Sequence, residues 1–284
     1  MTATATATAL PLSPRPRVGS LLRDWRQRRR LSQLELASES GVSTRHVSFV
    51  ETGRSKPSRE LVLHLAEHLE VPLRERNALL LAAGYAPAFP AADITGPELA
   101  PVRDALEQLI ERHQPSPAIV VDRHWNLVFG NAAIGVFLEL VEPSLLQPPA
   151  NTIRATLHPD GLGPHLVNFE QYATHLQQRL RRQLFMTGDA GTRALLDEIA
   201  AYPGMPHVAA HTTGVDELVL PLRLRTRHGE LAFFTTIATL GTATDVTLEE
   251  LSIELFYPLD DHTREVLASF DTDAGATAAG ATVR

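Results

Sequence analysis

Apolar positions recur at three- and four-residue spacing through residues 18–84, in blocks that predict five short helices. The first is Val18–Arg30, and the second follows a cap at Ser32, with Gln33, Leu34 and Leu36-Ala37 spacing apolar residues along one face. Ser43 caps the third, whose Val47 and Val50 point inward and whose Thr44, Arg45, His46, Ser48 and Phe49 occupy other faces. Ser58–Leu69 carries a Leu61, Leu65, Leu69 stripe, and Pro72 opens a fifth helix closed by Gly84. After a stretch dense in Pro, Ala and Gly at 86–101, Val102–His113 is predicted as an amphipathic helix.

The pattern then changes. Ile119–Val121 and Trp125–Phe129 read as two strands joined by an Asp-Arg-His turn, with Asn131 beginning a helix. Helices follow at Leu166–Phe185, carrying Val167, Tyr172, Leu176, Leu180 and Leu184, and at Gly191–Ala201. Leu218, Leu220, Leu222 and Leu224 alternate with Val219, Pro221, Arg223 and Arg225, the two-residue period of a strand with one buried face. RHGE turns that strand into LAFFTTIATL, and LSIELFY supplies another. The fold class is therefore multidomain: an all-α five-helix unit, then an α+β unit with an antiparallel sheet. The expected bounds are a disordered arm at 1–17, the helical domain at 18–85, a linker at 86–104, the α+β domain at 105–268 and a disordered tail at 269–284.

Residues 32–51, SQLELASESGVSTRHVSFVE, are the densest in meaning. Gly41 falls where a helix end needs positive φ, and Val42 follows as the apolar anchor of the turn. Two short helices locked by a glycine turn are what a protein needs to seat one helix in a DNA major groove. The alternative, an ordinary helical hairpin, is weakened by flanks rich in Arg23, Arg26, Arg28, Arg29 and Arg30.

Charge changes the picture only when the chain is divided. The net charge of −7 argues against a polyanion partner, but residues 1–85 hold 13 Arg and Lys against 8 acids, +5. The remainder holds 13 Arg against 25 acids, −12, so one half alone is suited to phosphates. Arg28–Arg30 also fits a plainer part, a solvated helix end favoured by the helix dipole. With no Cys in 284 residues there is no disulfide or thiolate chemistry, which suits a reducing, cytoplasmic setting with the protein associated with the nucleoid. The opening stretch lacks the basic-then-apolar order of a signal peptide, and no apolar run approaches membrane-spanning length. No G-x-S-x-G, P-loop or full G-x-G-x-x-G occurs. His64-Leu-Ala-Glu67-His68 fits H-x-x-E-H, a zinc-site spacing, but lies inside the fourth helix among leucines with no third ligand evident. His207 and His211, four apart beside Pro206, read as loop. Neither a catalytic set, a metal site nor a cofactor is expected.

Through LSQLELA, GVS and ETGRSKPS, roughly residues 18–84 resemble the phage-repressor-like, XRE-type helix-turn-helix family. That resemblance implies contact with double-stranded DNA. Matched by position, it places Gln33 at a phosphate and Ser43, Thr44 and Arg45 at base edges. Arg45 has the fork to pair with guanine and Thr44 the methyl to meet thymine. His46, Ser48 and Arg54 complete the candidate DNA-facing set, and Lys56 and Arg59 match positions at phosphate or in the minor groove. Phe49 departs from relatives that carry a polar base reader there, so no operator sequence transfers. Arg26 and Glu51 match a structural charge pair between the first and third helices.

The remainder resembles a PAS-like sensor fold and, more fully, the MmyB-like regulator ligand-binding domain, over about residues 105–268. PPAN at 148–151, LHPDGL at 157–162, the RRQ segment near 181, PLRLRT and GELAFFTT carry that likeness. It implies a regulator that binds a small apolar, fatty acid-like ligand. Trp125, Phe169, Tyr172, Phe185, Phe233 and Phe234 are candidates to line its cavity, and equally candidates for ordinary core. Asn131, His158, Asn168, Arg181 and Arg182 are the polar candidates; one of the last four would receive a carboxylate, and the two arginines are equally candidates for the solvated face of a long helix. A homodimer is expected, because one such module reads half a site, with its contacts mainly in the second domain. The competing class is a small-molecule enzyme or carrier with an appended DNA-binding module.

Overall fold

A computed structural model describes residues 17–206 and 220–277. The chain divides into two compact units, residues 1–90 and 91–284.

The first unit contains α1 (Val18–Arg28), α2 (Gln33–Ser40), α3 (Thr44–Glu51), α4 (Arg59–His68) and α5 (Leu73–Ala82). Ser32 and Glu35 form a reciprocal capping box at the start of α2, and Gly41 ends that helix at φ 65°. Ser43 and Ser58 cap α3 and α4 through their side chains. Leu22, Trp25, Leu36, Val47, Val50 and Leu65 meet in one core. Each such buried side chain contributes about 1.5–3 kcal/mol. α1 ends at Arg28, two residues short of the expected boundary, because Arg30 turns to φ 59°. On α4 the deepest residues are Val62, Ala66 and Leu65, with Leu69 buried just past its end, while Leu61 is only partly buried.

The expected linker is shorter than its composition suggests. Asn77 accepts hydrogen bonds from the Ala88 and Phe89 amides, so residues 88–89 belong to the first unit. Ala92 is held by Asp245 and Thr247, within the second unit. A 3-10 turn at Pro97–Leu99 leads directly into α6 (Ala100–Glu111), two residues earlier than the periodicity indicates.

The second unit continues with β1 (Ala118–Val121), β2 (Leu127–Gly130), a 3-10 turn at Ala132–Ile134, α7 (Gly135–Leu138) and α8 (Thr152–Leu157). Next come α9 (Phe169–Thr187), α10 (Ala190–Ala200), β3 (Leu222–Thr226), β4 (Gly229–Thr239), α11 (Val246–Glu249), β5 (Ser252–Pro258) and α12 (Asp261–Thr277). The sheet order is β2-β1-β5-β4-β3, with every neighbouring pair antiparallel. Strand alternation divides its faces. Ile119, Val121, Leu224, Phe233 and Phe256 pack in the main core with residues of α8, α9, α10 and α12. Ala118, Val120 and Ile253 point the other way, against Leu106 and Ile110 of α6.

Trp125 is not in a strand. Asp122 accepts from the amides of His124 and Asn126 and from the Asn126 side chain, which closes a tight turn and leaves Trp125 at φ 67°. Nor does the fold stop at 268: α12, anchored in the core by Leu267, runs on to Thr277. The expected arm up to residue 16, the His207 and His211 loop and the Leu218 end of the β3 strand lie outside the described residues.

Candidate functional site

In the first unit the α2 and α3 caps, the Gly41 turn and the inward Val47 and Val50 leave Ser43, Arg45 and His46 exposed and Thr44, Ser48 and Phe49 half-buried. The Arg45 guanidinium carbon lies 5.1 Å from the centre of the Phe49 ring, and that of Arg54 lies 5.8 Å from it. Phe49 is therefore more than an apolar contact, since cation–π attraction restrains two basic side chains on one face. Lys56 and Arg59 are also exposed, and the Lys56 ammonium stands 5.3 Å from the Tyr85 ring, whose hydroxyl donates to the Pro57 carbonyl.

The expected Arg26–Glu51 pair is present. Arg26 donates to both Glu51 oxygens, at 2.7 and 2.9 Å, and to the Leu31 carbonyl at 2.7 Å. Bonding to the Glu51 carboxylate raises the Arg26 pKa further. Gln33 joins this cluster, its Nε2 donating to Glu51 at 2.7 Å. One amide hydrogen is thereby committed inside the fold. Arg29 is likewise engaged, donating to the Leu69 and Glu70 carbonyls at the end of α4. The H-x-x-E-H spacing assembles no site: His64 Nε2 bonds the Ser40 carbonyl at 2.7 Å, and the His64 and His68 rings meet edge to face.

The second unit holds a partly open cavity of about 90 Å³ between the sheet and the helices. Leu127, Phe137, Val141, Ile153, Leu176 and Phe256 supply apolar wall, and Thr152, Thr156, Tyr172, Arg179 and Glu254 supply the polar groups. Of the expected ligand residues, only Tyr172 lines it. Asn131 is a buried structural tie instead, accepting from the Ala118 amide and donating to the Ile110 and Ser116 carbonyls. Arg181, Arg182 and Phe185 lie exposed on α9, off the face that Tyr172, Leu176 and Arg179 turn to the cavity. Phe233 is fully buried against Phe137 and Phe256, and Phe234 stacks on Tyr257 on the opposite sheet face. His158 packs edge to face on Tyr202, Asn168 donates to the Pro221 carbonyl, and Phe169 packs partly buried against the core. Trp125 touches the site indirectly, its ring lying 3.9 Å from the Arg179 guanidinium carbon. Its indole donates to Gln183 at 2.8 Å.

The residues that sequence reasoning missed are Arg179 and Glu254. Arg179 Nη1 stands 3.5 Å from Glu254 Oε1, and the side chains are 14% and 9% exposed. Burial pushes the Arg179 pKa down and the Glu254 pKa up, each countered by attraction to the other. Burial likewise raises the Tyr172 phenol. Among the described residues Arg179 Nη2 is buried with no hydrogen-bond partner. Such a donor costs about 1–3 kcal/mol unless something accepts from it. The signal was available: Tyr172, Leu176, Arg179 and Gln183 share a face of α9, and Glu254 interrupts an apolar β5.

A second charged cluster ties α8, which lines the cavity, to α10. Arg154 of α8 donates to both oxygens of Glu198 of α10, at 2.6 and 2.7 Å, and Tyr202 donates to Glu198 at 2.6 Å. The Arg154 hydrogen bond holds Glu198 down at about 2. Burial and the Glu198 contact push Tyr202 up to about 12.

An exposed, capped recognition helix in a basic unit, followed by an α+β unit with an apolar cavity, defines a helix-turn-helix transcription regulator with a ligand-binding domain. A family model described as "MmyB-like transcription regulator ligand binding domain" matches residues 102–270, and one described as "Helix-turn-helix domain" matches residues 17–79. The chain belongs to the MmyB-like transcription regulators. These families indicate a DNA-binding regulator rather than an enzyme. No curated protein sequence matches the chain. Among solved structures, one titled "Structure of an RNA-binding Light-Oxygen-Voltage Receptor" is 13% identical over 91% of this chain, with a TM-score of 0.23. The chain spans 64% of that protein's length. No helix among the described residues is long and apolar enough to cross a membrane.

Proposed function

We propose that this regulator docks α3 in the DNA major groove and tunes that contact through a small, fatty acid-like molecule in the second-unit cavity. The observation that carries the first half is the Arg45–Phe49–Arg54 arrangement on an exposed helix whose opposite side is locked into the core. Ser43, Thr44, Arg45, His46 and Ser48 stand at the base edges in this reading. Gln33, Arg54, Lys56 and Arg59 reach phosphate or the minor groove. The second half is supported by a largely apolar cavity wall whose charged side chains are one ion pair. The active species is inferred to be a homodimer joined mainly through the second unit, since one module reads half a site. The domain limits proposed from the sequence, 18–85 and 105–268, fall inside the two compact units.

Selection of bound sequences from a random DNA pool tests the first half. Arg45→Ala should weaken the selected operator by about 1–3 kcal/mol and relax preference at one base pair. Lys56→Ala should instead weaken all sequences alike and lower the slope of affinity against salt. Unchanged affinity and preference in Arg45→Ala would remove α3 from the interface.

A further inference from the structure

The cavity's polar end is a paired cation and anion, not a lone cation. Arg179 is the only basic side chain in the cavity wall among the described residues, and Glu254 stands 3.5 Å from it. The pairing is built in by two elements: β5 sets Glu254 opposite Ile119 of β1, facing the helices, and α9 brings Arg179 down on the face it shares with Tyr172. Trp125 stacks on the guanidinium and holds it in place. An entering carboxylate would stand beside the Glu254 carboxylate in a low-dielectric space, where like charges repel strongly. A carbonyl, ester or hydroxyl oxygen meets no such repulsion, and it supplies the acceptor that Arg179 Nη2 lacks.

Resting on the proposed ligand role of this cavity, we infer that its effector is a short aliphatic molecule with an uncharged oxygen head, such as an ester, ketone or alcohol, and not a free carboxylate. Size supports the short chain. A cavity of about 90 Å³ is smaller than the roughly 150 Å³ apolar cavity that accepts benzene, so it holds the head and the first carbons while the rest of an eight-carbon chain lies along its open side.

Methyl octanoate, octan-1-ol and octanoate, titrated at pH 8 into the full-length protein by calorimetry and thermal shift, separate the possibilities. The ester and the alcohol should bind at least tenfold more tightly than octanoate. Glu254→Gln keeps the shape and removes the anion, so octanoate should gain at least tenfold relative to the ester. The wild-type comparison stands by itself if that variant folds poorly. Octanoate binding as tightly as the ester in the wild type overturns the head-group inference while leaving the cavity a ligand site. If none of the three binds, the ligand role of the cavity falls, and this inference with it.

Discussion

Replacing Glu51 with glutamine is expected to unlock the DNA-binding unit from within, with Gln33 the DNA-facing residue whose partner it alters. Glu51 is 3% exposed and Arg26 10%, and the carboxylate takes two hydrogen bonds from Arg26 and one from Gln33. Glu51→Gln preserves the shape but leaves the guanidinium buried against a neutral amide, which keeps one acceptor oxygen and sets an NH2 donor where the second carboxylate oxygen stood. Breaking one partner of a buried pair costs about 3–5 kcal/mol, a large part of a domain's total of about 5–15 kcal/mol. At about 1.4 kcal/mol per decade, the opening equilibrium should rise by roughly two to three and a half orders of magnitude. Native-state hydrogen exchange on peptides from α1 and α3 reads that change directly. The apolar double variant Arg26→Met with Glu51→Leu should recover most of the protection, because neither charge is then stranded. Unchanged protection in Glu51→Gln, or a double variant no better than the single, would refute the structural role of the pair.

Gly19→Ala should also destabilise this unit by about 1–3 kcal/mol, because its Cβ would stand 2.3 Å from the Val50 carbonyl oxygen and force α1 away from α3; a urea midpoint equal to wild type would contradict that packing. The Arg154–Glu198–Tyr202 cluster makes a pH prediction. Glu198 falls from 4.5 to about 2 on folding, so its stabilisation is full above pH 4.5 and lost as pH drops toward 2. The gap in melting temperature between wild type and Glu198→Gln should therefore shrink across that window, and a gap as wide at pH 3 as at pH 7 would count against it.

The helical unit was legible because its signals are local. Ser32 with Glu35, Gly41 and Ser43 fix helix ends within a few residues of chain, and the structure places the caps where those residues stand. The strands were legible through the alternation of Leu222 and Leu224 with Arg223 and Arg225, observed as buried and exposed in turn. The cavity was harder to read, because it depends on which side of α9 meets β5. Arg181 and Arg182 attract notice as an adjacent pair, yet the helix rotates about 100° per residue and turns them out, while Arg179 turns in. Aromatic character was no guide either: Phe233 fills the core, Phe234 lies on the other sheet face, and Asn131 closes backbone bonds around β1. Phe49 shows the converse. Sequence alone gives an apolar residue at a reading position, and the folded unit gives it two arginines to steady.

Titration of full-length protein onto its selected operator, with and without saturating methyl octanoate, most directly tests whether the two units form one switch. A ligand shifts DNA affinity only as far as it distinguishes the DNA-competent from the incompetent arrangement, and such coupling is typically about 1–3 kcal/mol. The expected result is a change of roughly 5–150-fold in operator affinity, mirrored by an equal change in ligand affinity when operator is bound. Superimposable DNA isotherms, in a sample whose melting temperature the ligand has raised, would mean a structural lipid site and contradict the switch.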